Sequence, residues 1–204
     1  VAAKSGVKIA FDNLANLVKS LTAIADTKLL VGIPRETTDR DDDTPFTNAD
    51  IGYVQEFGDA AGRIPPRPFL YPTVKANRAE IVKRLKLAGQ YGLSGKPEMV
   101  LKVYEGLGLF LQAEVRKRIQ SNIPPPLAES TVRGRIARRK SKAWRNRRTA
   151  QVEANLAAGA AAGEGIFTPL IDTANLLGAI TYVVRSKLSG RDVAVGKRNP
   201  ARKT

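Results

Sequence analysis

The chain has 204 residues, no cysteine and no histidine, and its 34 Lys and Arg against 19 Asp and Glu give a formal net charge of +15. The two missing residue types exclude a disulfide framework, a thiolate or imidazole metal site, a Ser-His-Asp triad and a histidine general acid. An apolar fraction of 43% with only 6% aromatics predicts a core of Leu, Val, Ile and Ala, and a balance this basic points to a polyanionic partner.

In chain order, Phe11, Leu14, Leu17, Val18, Leu21 and Ala25 recur at helical spacing and predict an amphipathic helix over 7–26. The apolar run KLLVGI, 28–33, ends at Pro34 and reads as a buried strand, and 35–48 is an acidic loop. Ile51, Val54 and Phe57 mark a short amphipathic turn that ends in Gly58. Pro65, Pro66 and Pro68 cannot lie inside a regular helix, so the strip from Pro65 through Arg67 to Phe69 is a stiff extended connector. It serves either as a clamp within one subunit or, with Phe69 as apolar anchor, as an assembly interface with a neighbour.

Pro72 suits the first turn of a helix over about 72–88, with Val74, Ile81, Leu85 and Ala88 inward, and Gly89 to Gly95 should break it. Ser94 is the expected cap of the next helix, 97–122, whose stripe runs through Val100, Val103, Tyr104, Leu107, Leu111, Val115 and Ile119. Gly106 and Gly108 within it predict close packing against a neighbour, and Pro124 to Pro126 stop it.

Between 133 and 148 stand Arg133, Arg135, Arg138, Arg139, Lys140, Lys142, Arg145, Arg147 and Arg148, nine cations in sixteen positions with no acid. Contact with DNA phosphates needs many cations and no fixed spacing. The bland reading is a solvated basic loop that orders against acidic partner faces. Trp144 either stacks on a base or anchors the segment to an apolar neighbour. The Ala- and Gly-rich 151–165 read as a mobile tether, so 129–165 is expected to project as an arm or hairpin, poorly ordered in the free subunit. Asp172 or Thr173 should cap a helical turn carrying Leu176 and Leu177. Strands at 180–188 and 193–197 flank a Ser189-Gly190-Arg191-Asp192 turn, before a basic tail from Lys197.

Other chemistry is poorly supported. The Gly89–Lys96 stretch has the wrong glycine spacing for a phosphate loop, and Pro97 stands where a magnesium-binding hydroxyl belongs. Asp39, Asp41, Asp43 and Asp50 begin like a calcium loop, but Thr44 replaces its glycine and Pro45 follows. No pattern marks a paired-carboxylate enzyme, and no cofactor is expected. No window approaches the roughly 18–20 uninterrupted apolar residues of a membrane span. The opening VAAKSGVKIAFDNL is amphipathic rather than a signal-peptide block, so cytoplasmic assembly is expected, with Val1 following a removed initiator Met.

Three blocks recur together: Glu56-Phe57-Gly58 with Pro65-Pro66-Arg67-Pro68-Phe69-Leu70-Tyr71-Pro72, then Pro125-Pro126-Leu127-Ala128-Glu129-Ser130-Thr131, then PLIDTANLLGAITYVV from Pro169 to Val184. In content and order they resemble the tail-completion, or minor tail protein Z-like, family of tailed bacteriophages, over roughly residues 7–196. Ala174 and Ala179 stand where that family usually has Gly and Ser. The resemblance implies a virion structural protein, not an enzyme, at the phage neck. It implies a homo-oligomeric ring of six copies that joins the tail tube or terminator to the portal-side connector, around double-stranded DNA. Two other readings remain open: a head–tail adaptor bound to the portal, and a non-virion basic nucleic-acid-binding protein.

The fold expected is α+β: a small, mostly antiparallel sheet of 28–33, 180–188 and 193–197, covered on one face by helices 7–26, 72–88 and 97–122, with a projecting basic arm. Segments 1–128 and 166–204 would complete one domain around the arm at 129–165.

Overall fold

The structure, a computed structural model, describes residues 14–34, 46–172, 174–186 and 192–196. The helix start at 7–13, the acidic loop with Asp39, Asp41 and Asp43, Thr173, the Ser189-Gly190-Arg191 turn and the tail from Lys197 lie outside the described residues.

The helices are α1 Leu14–Asp26, α2 Asn48–Phe57, α3 Tyr71–Ala76, α4 Arg78–Leu93, α5 Pro97–Gln120, α6 Glu129–Ala137, α7 Lys142–Ala157 and α8 Asn175–Ala179. Three strands, β1 Thr27–Gly32, β2 Thr181–Ser186 and β3 Asp192–Val195, form an antiparallel sheet in that spatial order. The class is α+β, as expected. Among the described residues no helix is long and apolar enough to cross a membrane.

Strand alternation sorts the sheet's side chains. Leu29 lies opposite Val184 and Val31 opposite Tyr182, and these four turn to one face. There they meet Val100 and Tyr104 of α5, Ala88 and Tyr91 of α4 and Ile24 of α1. α5 crosses β1 and β2, and α1 and α4 pack on α5. Of the stripe read from the sequence, Val100, Tyr104, Leu107, Leu111, Val115 and Ile119 are buried, with Gly108 and Gln112 beside them, and Val103 is half-buried. Gly108 is the close approach: a Cβ there would overlap Cδ2 of the Tyr182 ring.

A second core gathers Phe69, Val115, Ile119, Ile123, Leu170, Leu176 and Ile180. A third, separate cluster holds Val132 and Ile136 of α6, Val152 of α7 and Ala162, flanked by Leu127, Trp144, Ile166 and Phe167.

Several expectations are corrected. The helix forecast over 72–88 is two, parted at Asn77, whose amide Nδ2 donates to Thr73 O at 2.9 Å. α4 runs through Gly89, a position with open space around it, to Leu93. Val74 and Leu85, expected inside, are exposed. Ser94 closes α4, with its Oγ and backbone N–H both donating to Gln90 O, and Lys96 precedes α5 without a side-chain cap. Nor does Asp172 cap α8: Ala174 stands there in the left-handed region at φ 61°.

The largest correction concerns 129–165. α6 and α7 form a helical hairpin on the third cluster, and the Ala/Gly stretch is an ordered return. Asn155 Nδ2 donates to Glu164 O at 2.9 Å and, more weakly, to Ala161 O and Ala162 O at 3.4 Å. Ala162 is buried among the hairpin's apolar residues. Small residues here let the chain pass close to α6, which a loose tether would not need.

Candidate nucleic-acid interface

The hairpin stands where it does because of a polar clamp that begins at α2. Thr47 caps α2 with a reciprocal Asp50 box, Oγ1 accepting from Asp50 N at 3.2 Å and Asp50 Oδ2 accepting from Thr47 N at 2.9 Å. At the far end Gly58 has φ 81°, and a Cβ there would press to 3.1 Å from Ile64 O. The chain therefore turns back at once, and Arg67 N donates to Gln55 O at 2.7 Å.

This return places the buried Glu56 carboxylate under the connector. Oε2 accepts from Phe69 N at 2.7 Å and Leu70 N at 2.9 Å, and Oε1 accepts from Tyr71 N at 2.9 Å. Three backbone donors around the start of α3, two of them belonging to its unpaired first turn, thus receive a charged acceptor. Sequence reasoning quoted Glu56 as part of a motif and missed this role. Its signal was an acid immediately ahead of a proline strip that cannot pair its own backbone.

The candidate interface residues of that strip divide. Pro66 is exposed, and Pro65 and Pro68 are half-buried, whereas Arg67 and Phe69 are inside the subunit. Phe69 is 0% exposed and packs on Leu170, Leu176 and Ile180. The expectation of Phe69 as an anchor in a neighbour's groove is therefore corrected: its ring is already enclosed by its own chain. Arg67 donates from Nε to Pro125 O at 2.8 Å and from Nη2 to Pro126 O at 3.0 Å, at the entry to α6. The Pro124–Pro125 bond there is cis.

The nine cations of 133–148 divide in the same way. Arg135, with a side chain only 10% exposed, donates to Ile171 O at 2.9 Å, Pro169 O at 3.1 Å and Thr168 O at 3.3 Å, and lies 3.7 Å from Asp172. Burial lowers its pKa, Asp172 opposes that shift, and Arg138 and Arg139 add to it. Arg67 is lowered by burial first and by the like charge of Arg135 second. Both remain cationic, as guanidinium does in proteins, because carbonyl oxygens surround them. Arg135 thus ties α6 to the 168–172 segment, a fastening and not a ligand contact.

Arg138 pairs with Asp172 at 2.7 Å, and Arg133 pairs with Glu129 at 2.7 Å along one face of α6. Arg148 donates to Gln151 Oε1 and lies 5.6 Å from the Trp144 ring centre; Arg139 lies 5.9 Å from it. Trp144 itself tilts against Phe167 at 6.4 Å, and Ser141 caps α7 by accepting from Trp144 N. Arg145 donates to Arg139 O at 2.9 Å across the turn. Lys140, Lys142 and Arg147 are exposed. None of Arg139, Lys140, Lys142, Arg145 and Arg147 has an ion pair among the described residues. The turn between the helices is thus a cluster of positive charge on a packed support, with no acidic partner among the described residues.

Elsewhere, the rings of Tyr53 and Phe57 meet tilted at 4.9 Å on α2, both 66% exposed, with Tyr71 of α3 69% exposed. The described residues contain no group of three His, Cys, Asp or Glu placed to hold a metal ion. Comparisons with protein-family models, with curated proteins and with solved structures give no match for this chain.

Proposed function

We propose that this chain is a structural subunit of the neck of a tailed bacteriophage, a tail-completion component that joins tail to head-side connector around the DNA. One observation supports it above others. The three sequence blocks that carry the resemblance, spread over residues 56–184, converge on one node. Glu56 holds the backbone of Phe69 to Tyr71, Arg67 holds Pro125 and Pro126, and Phe69 packs on Leu170, Leu176 and Ile180. Blocks that serve architecture should meet in this way.

On this reading six copies form a ring whose apolar contacts come from the exposed Tyr53–Phe57 pair and Tyr71, in place of the enclosed Phe69. The basic turn faces the channel. The same turn favours a second reading, a non-virion nucleic-acid-binding protein. Deleting the gene from the phage that encodes it decides between them. The neck reading expects unjoined heads and tails, restored to infectivity by adding the purified protein, and the chain itself in purified particles. Joined, infectious particles without it would overturn that reading.

A further inference from the structure

Granting that the hairpin meets nucleic acid, we infer that its turn grips duplex DNA or RNA through phosphates alone, with Trp144 packed on Phe167 beneath Arg139 and not stacking on bases. Five cations, Arg139, Lys140, Lys142, Arg145 and Arg147, fall within nine residues of the turn, and no acid occurs between Ser130 and Val152. The other four of the nine are held outside the turn or by side-chain acceptors: Arg135 by carbonyls of 168–171, Arg138 by Asp172, Arg133 by Glu129, and Arg148 by Gln151; of the five, Arg145 donates within the turn to Arg139 O and Arg139 lies over the indole. The structure thereby separates ligand-facing charge from fastening charge, which sequence alone does not.

Single-strand binding relies on aromatic platforms beside a basic groove. Between Glu129 and Ala157 the one aromatic residue is Trp144. It is half-buried, tilted on Phe167 and flanked by two guanidiniums within 6 Å of its ring centre. A base would have to displace an arginine to stack there. Duplex phosphates, at about one charge per 1.7 Å of axis, need no such platform. The helices that flank the turn share a core and Arg145 bridges it, so its backbone is already formed for contact.

Trp144 is the chain's single tryptophan, so its emission reports on this site alone. The full chain is titrated with a labelled 20-base-pair duplex, with oligo-dT of equal phosphate number and with polyglutamate of equal charge. Duplex should bind tightest, with Trp144 emission nearly unchanged. Changing all five turn cations to Gln should remove up to about 4.5 from the slope of log K against log salt, at about 0.9 per phosphate contact. Arg133→Gln should leave that slope within error, and circular dichroism melting confirms that the variants fold. Tighter binding of oligo-dT with quenching of Trp144 would overturn the inference and keep nucleic-acid contact. Polyglutamate binding tighter than either nucleic acid, or no binding to any of the three, would overturn both.

Discussion

If the Glu56 carboxylate holds the connector in place, removing half of it should unfasten the fold without emptying any volume. Glu56→Gln keeps the shape and one oxygen. That oxygen can still accept from Phe69 N and Leu70 N, but as a neutral acceptor, which forfeits about 1 kcal/mol at each bond. The amide NH2 then faces Tyr71 N–H, donor against donor, and a buried donor left without a partner costs about 1–3 kcal/mol. The sum is about 3–5 kcal/mol, which for a chain of this size lowers Tm by on the order of 10 °C. Glu129→Gln is the control: Glu129 pairs with Arg133 on an exposed helix face, and its loss should cost under about 0.5 kcal/mol. Equilibrium urea unfolding followed by circular dichroism measures both. A Glu56→Gln midpoint equal to that of Glu129→Gln would refute the clamp.

Phe69→Ala should cost about 3–5 kcal/mol in the same urea assay, from a cavity bounded by Val115, Ile119 and Ile180. Once the variant is folded at low temperature, self-association measured by sedimentation should match wild type, because the ring does not reach the surface. Ala174→Gly should raise stability by about 1 kcal/mol, since Ala174 holds φ 61° and glycine adopts that conformation without the Cβ conflict; an unchanged midpoint would show the residue unstrained. Burial raises the pKa of Tyr104, and that of Tyr182 with help from Glu105. Such groups contribute stability below the ordinary phenol range that is lost as pH rises through the folded pKa, so urea midpoints should fall above about pH 10, less steeply in Tyr104→Phe.

The sequence disclosed what periodicity encodes. The α5 stripe from Val100 to Ile119 and the strand runs at 27–32 and 181–186 are patterns of apolar residues, and burial follows them. It concealed what side-chain hydrogen bonds decide. The break at Asn77 has no proline or glycine to announce it. Ser94 is an acceptable cap for a following helix and an equally good closure for a preceding one, and only tertiary placement chose between them. Asp172 looked like a helix cap because of its position ahead of α8, but Arg135 of α6 and Arg138 just past its end reach it first. A charged partner outcompetes backbone N–H groups that α8, a helix of five residues, barely organises.

The basic segment shows why composition misled most where charge was densest. Val132, Ile136, Trp144 and Val152 lie at helical intervals, but cations fill the positions between them and dilute the average hydropathy. Long basic side chains can cover an apolar strip while their heads stay in water, so a cation-rich helix can still own a core. Disorder is what dense charge followed by an Ala- and Gly-rich, apolar-poor stretch predicts, but both are compatible with order once several of the cations have partners and a few apolar residues meet. The partners are informative in themselves. Carbonyl oxygens and the Asp172 carboxylate fasten the hairpin at its base, leaving the turn's cations without an ion pair among the described residues. An arm meant only for solubility would gain nothing from that separation, whereas one that must meet a polyanion at a fixed place requires it.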